Sequence, residues 1–217
     1  MPSASRRVRA RIKLDIKNPL PLIAVLGLNL AVLILVVKTG RLLAPGIDDV
    51  AKQWRDLLPA GVGVAFAGVV NGLLSSESKA RLVFWRWADP LPGSFAFSRY
   101  AQRDPRIDVT ALRKAMGTWP SQPREQNAQW YRLYKSVDGE PAVIDAHRHF
   151  LLTRDYTAIA FLLLLTAGPL GFWLISSATT AGAYIGLLLL QYLLVRQAAH
   201  NYGVRFVTTV LALKALR

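Results

Sequence analysis

Between Phe95 and Tyr134 the sequence interleaves two kinds of side chain that together grip phosphorylated bases. Phe95, Phe97, Trp119, Trp130 and Tyr134 offer flat aromatic faces, and Arg99, Arg103, Arg106, Arg113 and Lys114 offer cations. Aromatic faces stack on bases, and guanidinium groups bind phosphates and lie over aromatic rings. The same residues in the same order also describe a small helical core with a basic surface resting on anionic lipid. Just upstream, RLVFWRW (residues 81–87) has the Trp and Arg content of a belt at a membrane–water interface.

Other chemistry is scarce. The chain has no Cys, so thiolate metal sites, disulfides and cysteine nucleophiles are excluded. It contains no GxxxxGK[ST], HExxH or GxSxG. His147 and His149 are two residues apart, which on a helix turns them roughly 200° away from each other, too far to share a metal. His200 reads as an interfacial residue where the last apolar run ends. No catalytic residue, cofactor or metal site is expected, and the chain does not read as an enzyme.

The elements that must position these residues belong to a membrane protein. Of 217 residues, 53% are hydrophobic and only 18% charged, against about 25% charged in soluble domains. The deficit is local. Asn18–Val37 and Leu57–Ser76 are each twenty residues without Asp, Glu, Lys or Arg, and Tyr156–Val195 is forty. About 20 apolar residues cross a hydrocarbon core as a helix. The sequence therefore predicts an all-α integral membrane protein with four transmembrane helices, the last two a hairpin turning at Ser176–Thr180. A small helical cytoplasmic domain stands between helices two and three. The expected segments are a basic arm over residues 1–18, helices one and two with a short outer loop over 19–75, the cytoplasmic domain over 76–155, the hairpin over 156–195 and a basic tail over 196–217.

Charge sets the orientation. The arm, first loop, central segment, hairpin turn and tail carry net charges of +5, +1, +4, 0 and +4. The positive-inside rule then places both termini and the central segment in the cytoplasm of a bacterial inner membrane. Leu20–Val37 is too long for the apolar stretch of a secretory signal.

Inside the spans the polarity is neutral. Asn29 and Asn71 are the amides hardest to leave facing lipid. In an oligomer, Asn71 would ring a narrow water path; within one subunit each amide would instead make an inter-helix hydrogen bond. Gly68 and Gly72 form a GxxxG pair in helix two, and Gly182 and Gly186 repeat it in helix four, a spacing that lets helices pack closely within a subunit or between subunits. Gly168–Pro169 should kink helix three or help turn it. In the central segment Asp108 caps a helix ending before Gly117. Arg124–Val137 forms another, with Trp130, Leu133, Tyr134 and Val137 on one side. PAVIDAHRHFLLTRDY (residues 141–156) runs into helix three without a break, and ESKARLVFWRW (residues 77–87) continues helix two.

In layout the chain resembles the small transmembrane effectors of bacterial anti-phage defence that nucleotide signals control, of the CBASS and Hailong types. The shared features are the basic N-terminus, the paired spans and the compact cytoplasmic segment rich in Arg and aromatics. The resemblance covers the whole layout and transfers no residue. It implies a nucleotide or oligonucleotide ligand made by a partner synthase, with loss of membrane integrity as the output. Membrane lipid and further copies of the chain, four in the simplest assembly, are the other expected partners; duplex nucleic acid is not. A pore gated by an anionic ligand and a non-conducting scaffold for a protein partner are the two functions that the sequence leaves open.

Overall fold

The computed structural model describes residues 20–42, 72–117 and 119–215. Every regular element among them is helical. The order is α1 (Leu20–Thr39), α2 (Ser76–Phe84), a 3-10 turn (Pro92–Phe95), a π-turn (Ala96–Tyr100), α3 (Val109–Met116), α4 (Pro123–Val137), α5 (Pro141–Leu174) and α6 (Ala178–Ala215). Three of these, α1, α5 and α6, are long and apolar enough to cross a membrane, and the chain is a membrane protein on that ground. The expected second span lies mostly outside the described residues, as do Gly68, Asn71 and the N-terminal arm.

The chain divides into two compact units. One holds the described residues of Ser76–Arg154 and Arg196–Arg217, the other those of Asn18–Ser75 and Asp155–Val195. Both long helices, α5 and α6, contribute to each.

In the apolar unit, Leu26, Leu33 and Val36 of α1 share a core with Ile159, Leu163 and Ala167 of α5 and with Ala181, Tyr184 and Leu188 of α6. Leu165, Phe172, Trp173, Leu190 and Leu194 face outward. A face so apolar is the surface of a helix dissolved in lipid. Gly171 leaves room for a ring of α6, since a Cβ there would lie 2.8 Å from the Tyr184 ring. α5 continues through Pro169 to Leu174. Ser177 then starts α6, its Oγ accepting from Thr180 N at 3.3 Å and its carbonyl accepting from Ala181 N. Two polar links cross this unit: Gln191 Nε2 donates to Tyr156 Oη at 3.0 Å, and Thr180 Oγ1 donates to the Gly40 carbonyl at 3.2 Å.

The glycine pairs behave differently from Gly171. A Cβ on Gly72, Gly182 or Gly186 would meet nothing among the described residues within 4 Å. Asn29 donates to Val25 O at 2.8 Å, one turn back in its own helix, so its amide makes no inter-helix bond among the described residues.

The other unit is built on aromatic packing around the second half of α6. Residues 196–215, expected as a tail, are helical throughout. Phe206, Val207, Val210 and Leu211 are buried at the centre of a core with Phe84, Phe97, Trp130, Val143 and Phe150. Gly203 admits two rings, since a Cβ there would lie 2.7 Å from Phe84 Cζ and 2.9 Å from Phe150 Cε2. The continuation of helix two is interrupted: the chain leaves helical geometry at Leu74–Ser75, and α2 begins at Ser76. It ends at Phe84, where Trp85 takes a left-handed φ of +50° and its N–H bonds back to Arg81 O. α3 has the expected cap, Asp108 Oδ1 accepting from Ala111 N at 2.9 Å, and stops at Gly117 with φ +73°. α4 runs over the expected stretch with Trp130 and Val137 buried.

One polar side chain holds this unit's irregular segment in place. Gln126, on α4, is 1% exposed. Its Oε1 accepts from Phe97 N, Ser98 N and Ser98 Oγ, each at 3.1 Å, and its Nε2 donates to Ser121 O at 3.0 Å. The first N–H groups of a helical turn lack partners within it, and here a distant amide supplies them.

Candidate functional site: an arginine-lined groove

The segment that Gln126 anchors forms one wall of a groove of about 550 Å³. The π-turn sends Phe97 and Tyr100 into the core and leaves Arg99 outside. A short turn follows, closed by Ile107 N to Asp104 O at 3.1 Å, and it brings Arg103, Asp104 and Arg106 to the same rim. α6 makes the opposite wall. His200, Val204 and Thr208 recur every four residues on one face, with Asn201 and Arg205 beside them.

The four arginines of this groove are not equivalent. Arg106 forms a fork with Asp104, Nε to Oδ1 at 2.9 Å and Nη2 to Oδ2 at 2.6 Å, and Nη2 also donates to Thr208 Oγ1 at 3.2 Å. These hydrogen bonds hold the Asp104 carboxyl well below its ordinary value and raise the Arg106 guanidinium above its own. The pair is internally neutral. Arg99, Arg103 and Arg205 are exposed, and their guanidinium groups meet no carboxylate among the described residues. The groove therefore carries three uncompensated positive charges and one hydrogen-bonded wall.

The sequence-predicted candidates divide accordingly. Arg99, Arg103 and Arg106 come together. Arg113 and Lys114, on α3, do not line the groove; Arg113 lies over the Trp119 ring at 5.0 Å. The aromatic residues are used by the protein itself. Phe97 is fully buried, edge-on to Trp119 at 5.2 Å. Trp130 is buried between Tyr134, stacked at 5.8 Å, and Phe206, edge-on at 5.2 Å. The Phe95 ring carries the Arg86 guanidinium at 4.0 Å. Tyr134 Oη is 3.3 Å from His147 Nδ1, and His147 stacks on Phe206. Among the described residues these aromatic rings do not line the groove, which offers guanidinium groups and not open stacking faces.

Arg205, Asn201 and Thr208 escaped the sequence reading because they sit in a stretch taken for a tail. Their i, i+4 and i+7 spacing in HNYGVRFVT was the available signal. Among the described residues no three His, Asp or Glu side chains gather as metal ligands. His149 bonds to Asp145 O at 2.9 Å and stacks on Tyr202.

No protein-family model matches the chain, and no match is found among curated proteins or solved structures.

The Asp104–Arg106 pair gives a prediction with opposed effects. Asp104→Asn removes the carboxylate that neutralises Arg106, so the groove gains a fourth free cation. Inorganic triphosphate should bind about 3–10-fold more tightly, the value of one half-exposed charge-assisted contact. Thermal stability should fall at the same time. Because the Asp104 carboxyl is depressed in the folded protein, its contribution is complete above the ordinary carboxylate range. It is lost only as pH falls through the depressed value. The stability difference between wild type and variant should thus be flat from pH 8 to pH 5 and shrink in stronger acid, read by thermal unfolding in detergent.

Proposed function

We propose that the protein is a bacterial inner-membrane receptor whose groove binds a compact polyanion, a nucleotide-type ligand held by its phosphates, and that the bound ligand sets the state of an oligomeric pore. The observation that carries this reading is the convergence of Arg99, Arg103 and Arg205, without a pairing carboxylate among the described residues, on one groove. Concentrated positive charge in a concave site attracts multivalent anions. The charge bias of the sequence puts the groove and both termini in the cytoplasm, where such ligands are made. α5 and α6 are shared between the two compact units, so a change of state has a covalent route from one to the other. The face bearing Gly182 and Gly186, which meets no described neighbour, suits contact with further copies of the chain, four in the simplest assembly. The layout shared with nucleotide-controlled anti-phage effectors supports loss of membrane integrity as the output.

A second reading has its own observation. Asn29 turns one amide N–H back onto Val25 O within α1, which draws it towards its own helix and away from a water path. A non-conducting scaffold that binds the same anions and recruits a protein partner fits that detail.

One experiment separates the readings. The full chain is reconstituted in liposomes loaded with a fluorescent ion reporter, and a cyclic dinucleotide or inorganic triphosphate is added on either side. Binding is measured in parallel at 50 and 200 mM salt. The pore reading expects binding that loosens by roughly tenfold over that range, as phosphate contacts release counterions, together with a ligand-dependent change in flux. Binding with no flux in either state selects the scaffold. No binding of either probe at 50 mM salt refutes the receptor.

A further inference from the structure

We propose a second anion site, beside the groove and sharing His200 and Tyr100 with its lining, in which Arg86 and Arg196 hold the phosphodiester of a phospholipid headgroup against Trp85. The argument begins with unpaired donors. Arg86 Nη1 and Arg196 Nε are buried and have no hydrogen-bond partner among the described residues, and the same is true of the neighbouring His200 Nδ1. Buried polar groups are nearly always paired, and an exception asks for a missing ion or water.

These donors belong to one neighbourhood. The Phe84 ring has His200 on one side, centroids 5.3 Å apart, and the Arg86 guanidinium 5.7 Å from its centroid. The next residue, Trp85, has the Arg196 guanidinium 3.8 Å over its ring. Arg196 and His200 are one helical turn apart on α6. The fields of both Arg86 and Arg196 reach the His200 ring. Neither arginine meets a carboxylate among the described residues. Arg86 has only Tyr100 Oη, at 3.4 Å, and the rings of Phe84 and Phe95. Two cations with spare N–H groups and no local acid are arranged for an anion.

Two observations identify the source of that anion as lipid. Arg196 directly follows forty residues without a charge, so on α6 it is the first cation beyond the hydrocarbon. Beside it, Trp85 and Trp87 are 57% and 85% exposed, the placement of Trp at headgroup level. The backbone adds a third. Trp85 adopts φ +50°, a region that bulky residues rarely enter. Such strain gathers where a side chain must be presented; here it holds the indole under Arg196 and turned outward.

The test uses the purified full chain in a neutral detergent. Short-chain dihexanoyl phosphatidylglycerol, dihexanoyl phosphatidylcholine and inorganic phosphate are titrated separately by calorimetry. Phosphatidylglycerol should bind at least tenfold more tightly than the other two. Choline brings a cation towards two arginines, and phosphate lacks the glycerol and acyl groups that reach Trp85. Arg86→Gln and Arg196→Gln should each loosen phosphatidylglycerol by about tenfold, Arg86→Lys and Arg196→Lys by less, and the double Gln variant should abolish its preference. Arg99→Ala with Arg103→Ala and Arg205→Ala should leave it unchanged, which keeps this site separate from the groove. If the double variant fails to fold, the wild type decides alone: a melting temperature raised by phosphatidylglycerol above the other two ligands supports the site. Equal binding of all three, or phosphate binding as tightly as lipid, overturns it.

Discussion

Arg99→Ala, Arg103→Ala and Arg205→Ala combined should abolish the binding of inorganic triphosphate while changing the melting temperature little. The three side chains are exposed, and their guanidinium groups have no carboxylate partner among the described residues. Surface substitutions of this kind usually cost within about 0.5 kcal/mol each. A charge-assisted hydrogen bond to an anion contributes about 1.5–3 kcal/mol. Losing three therefore weakens binding by roughly a thousandfold or more, even after allowing for solvent. The single variants should each lose about tenfold, and each should flatten the dependence of log affinity on log salt by a comparable step. Lys in place of Arg restores the charge but not the fork, so the triple Lys variant should keep the salt dependence and recover only part of the affinity. Calorimetry at two salt concentrations reads all of this. A triple Ala variant that binds with wild-type affinity would remove the groove from consideration.

Gln126→Leu should destabilise the aromatic unit by unpairing the backbone at the start of its π-turn. The substitution leaves Phe97 N, Ser98 N and Ser98 Oγ without an acceptor and Ser121 O without a donor, all beside a side chain that is 1% exposed. Each buried group left unpaired costs about 1–3 kcal/mol. A total of about 2–3 kcal/mol is expected, because Phe97 N is buried while Ser98 and Ser121 are exposed and their freed groups can turn to water. Gln126→Glu keeps the acceptor for three donors but buries a carboxyl group against the Ser121 carbonyl, so it should be costly at neutral pH and less so in acid, where the carboxyl is protonated and can donate to Ser121 O. Hydrogen exchange locates the damage: protection of Phe97 and Ser98 should collapse in the Leu variant and persist in the Glu variant. Anion binding should fall with it, since the π-turn carries Arg99.

What the sequence made legible was what local chemistry decides. Uncharged runs long enough for a bilayer became α1, the lower part of α5 and the first part of α6. Asp108 and Gly117 bounded α3 as a cap and a stop, because both act within a few residues of themselves. The apolar side of α4 was readable from its 3.6-residue period. Three things were hidden because they depend on residues distant in the chain. Gln126 sits in REQNAQ, a run that reads as solvent-facing, and only the approach of residues 97–98 makes it a core residue. For Phe97 and Trp130 stacking on a ligand and packing in a core both stayed open, because nothing local says that Trp119 and Phe206 will cover them. The groove joins Asp104 and Arg106 to Thr208, about a hundred positions away. Arg196, His200 and Arg205 disguised the rest of α6 as a tail, although Phe206, Val207, Val210 and Leu211 already had the spacing of a buried helical stripe.

The place of α6 in the aromatic core sets the order in which the protein can be made. Phe84, Trp130 and Phe150 surround Phe206, with Trp130 and Phe150 centred 5.2 and 6.2 Å from it. A ribosome that has finished Arg154 has produced the aromatic shell but not the strut it closes on. After Asp155 come the forty uncharged residues of the hairpin, which must be handed to the insertion machinery first. During that interval the shell is an unfolded, sticky nascent chain that needs chaperone cover. A chain released before residue 206 has no core to complete, so its aromatic half should be degraded rather than accumulate as a soluble fragment. Insertion thus acts as a checkpoint on folding: only a chain whose hairpin has been delivered acquires the groove.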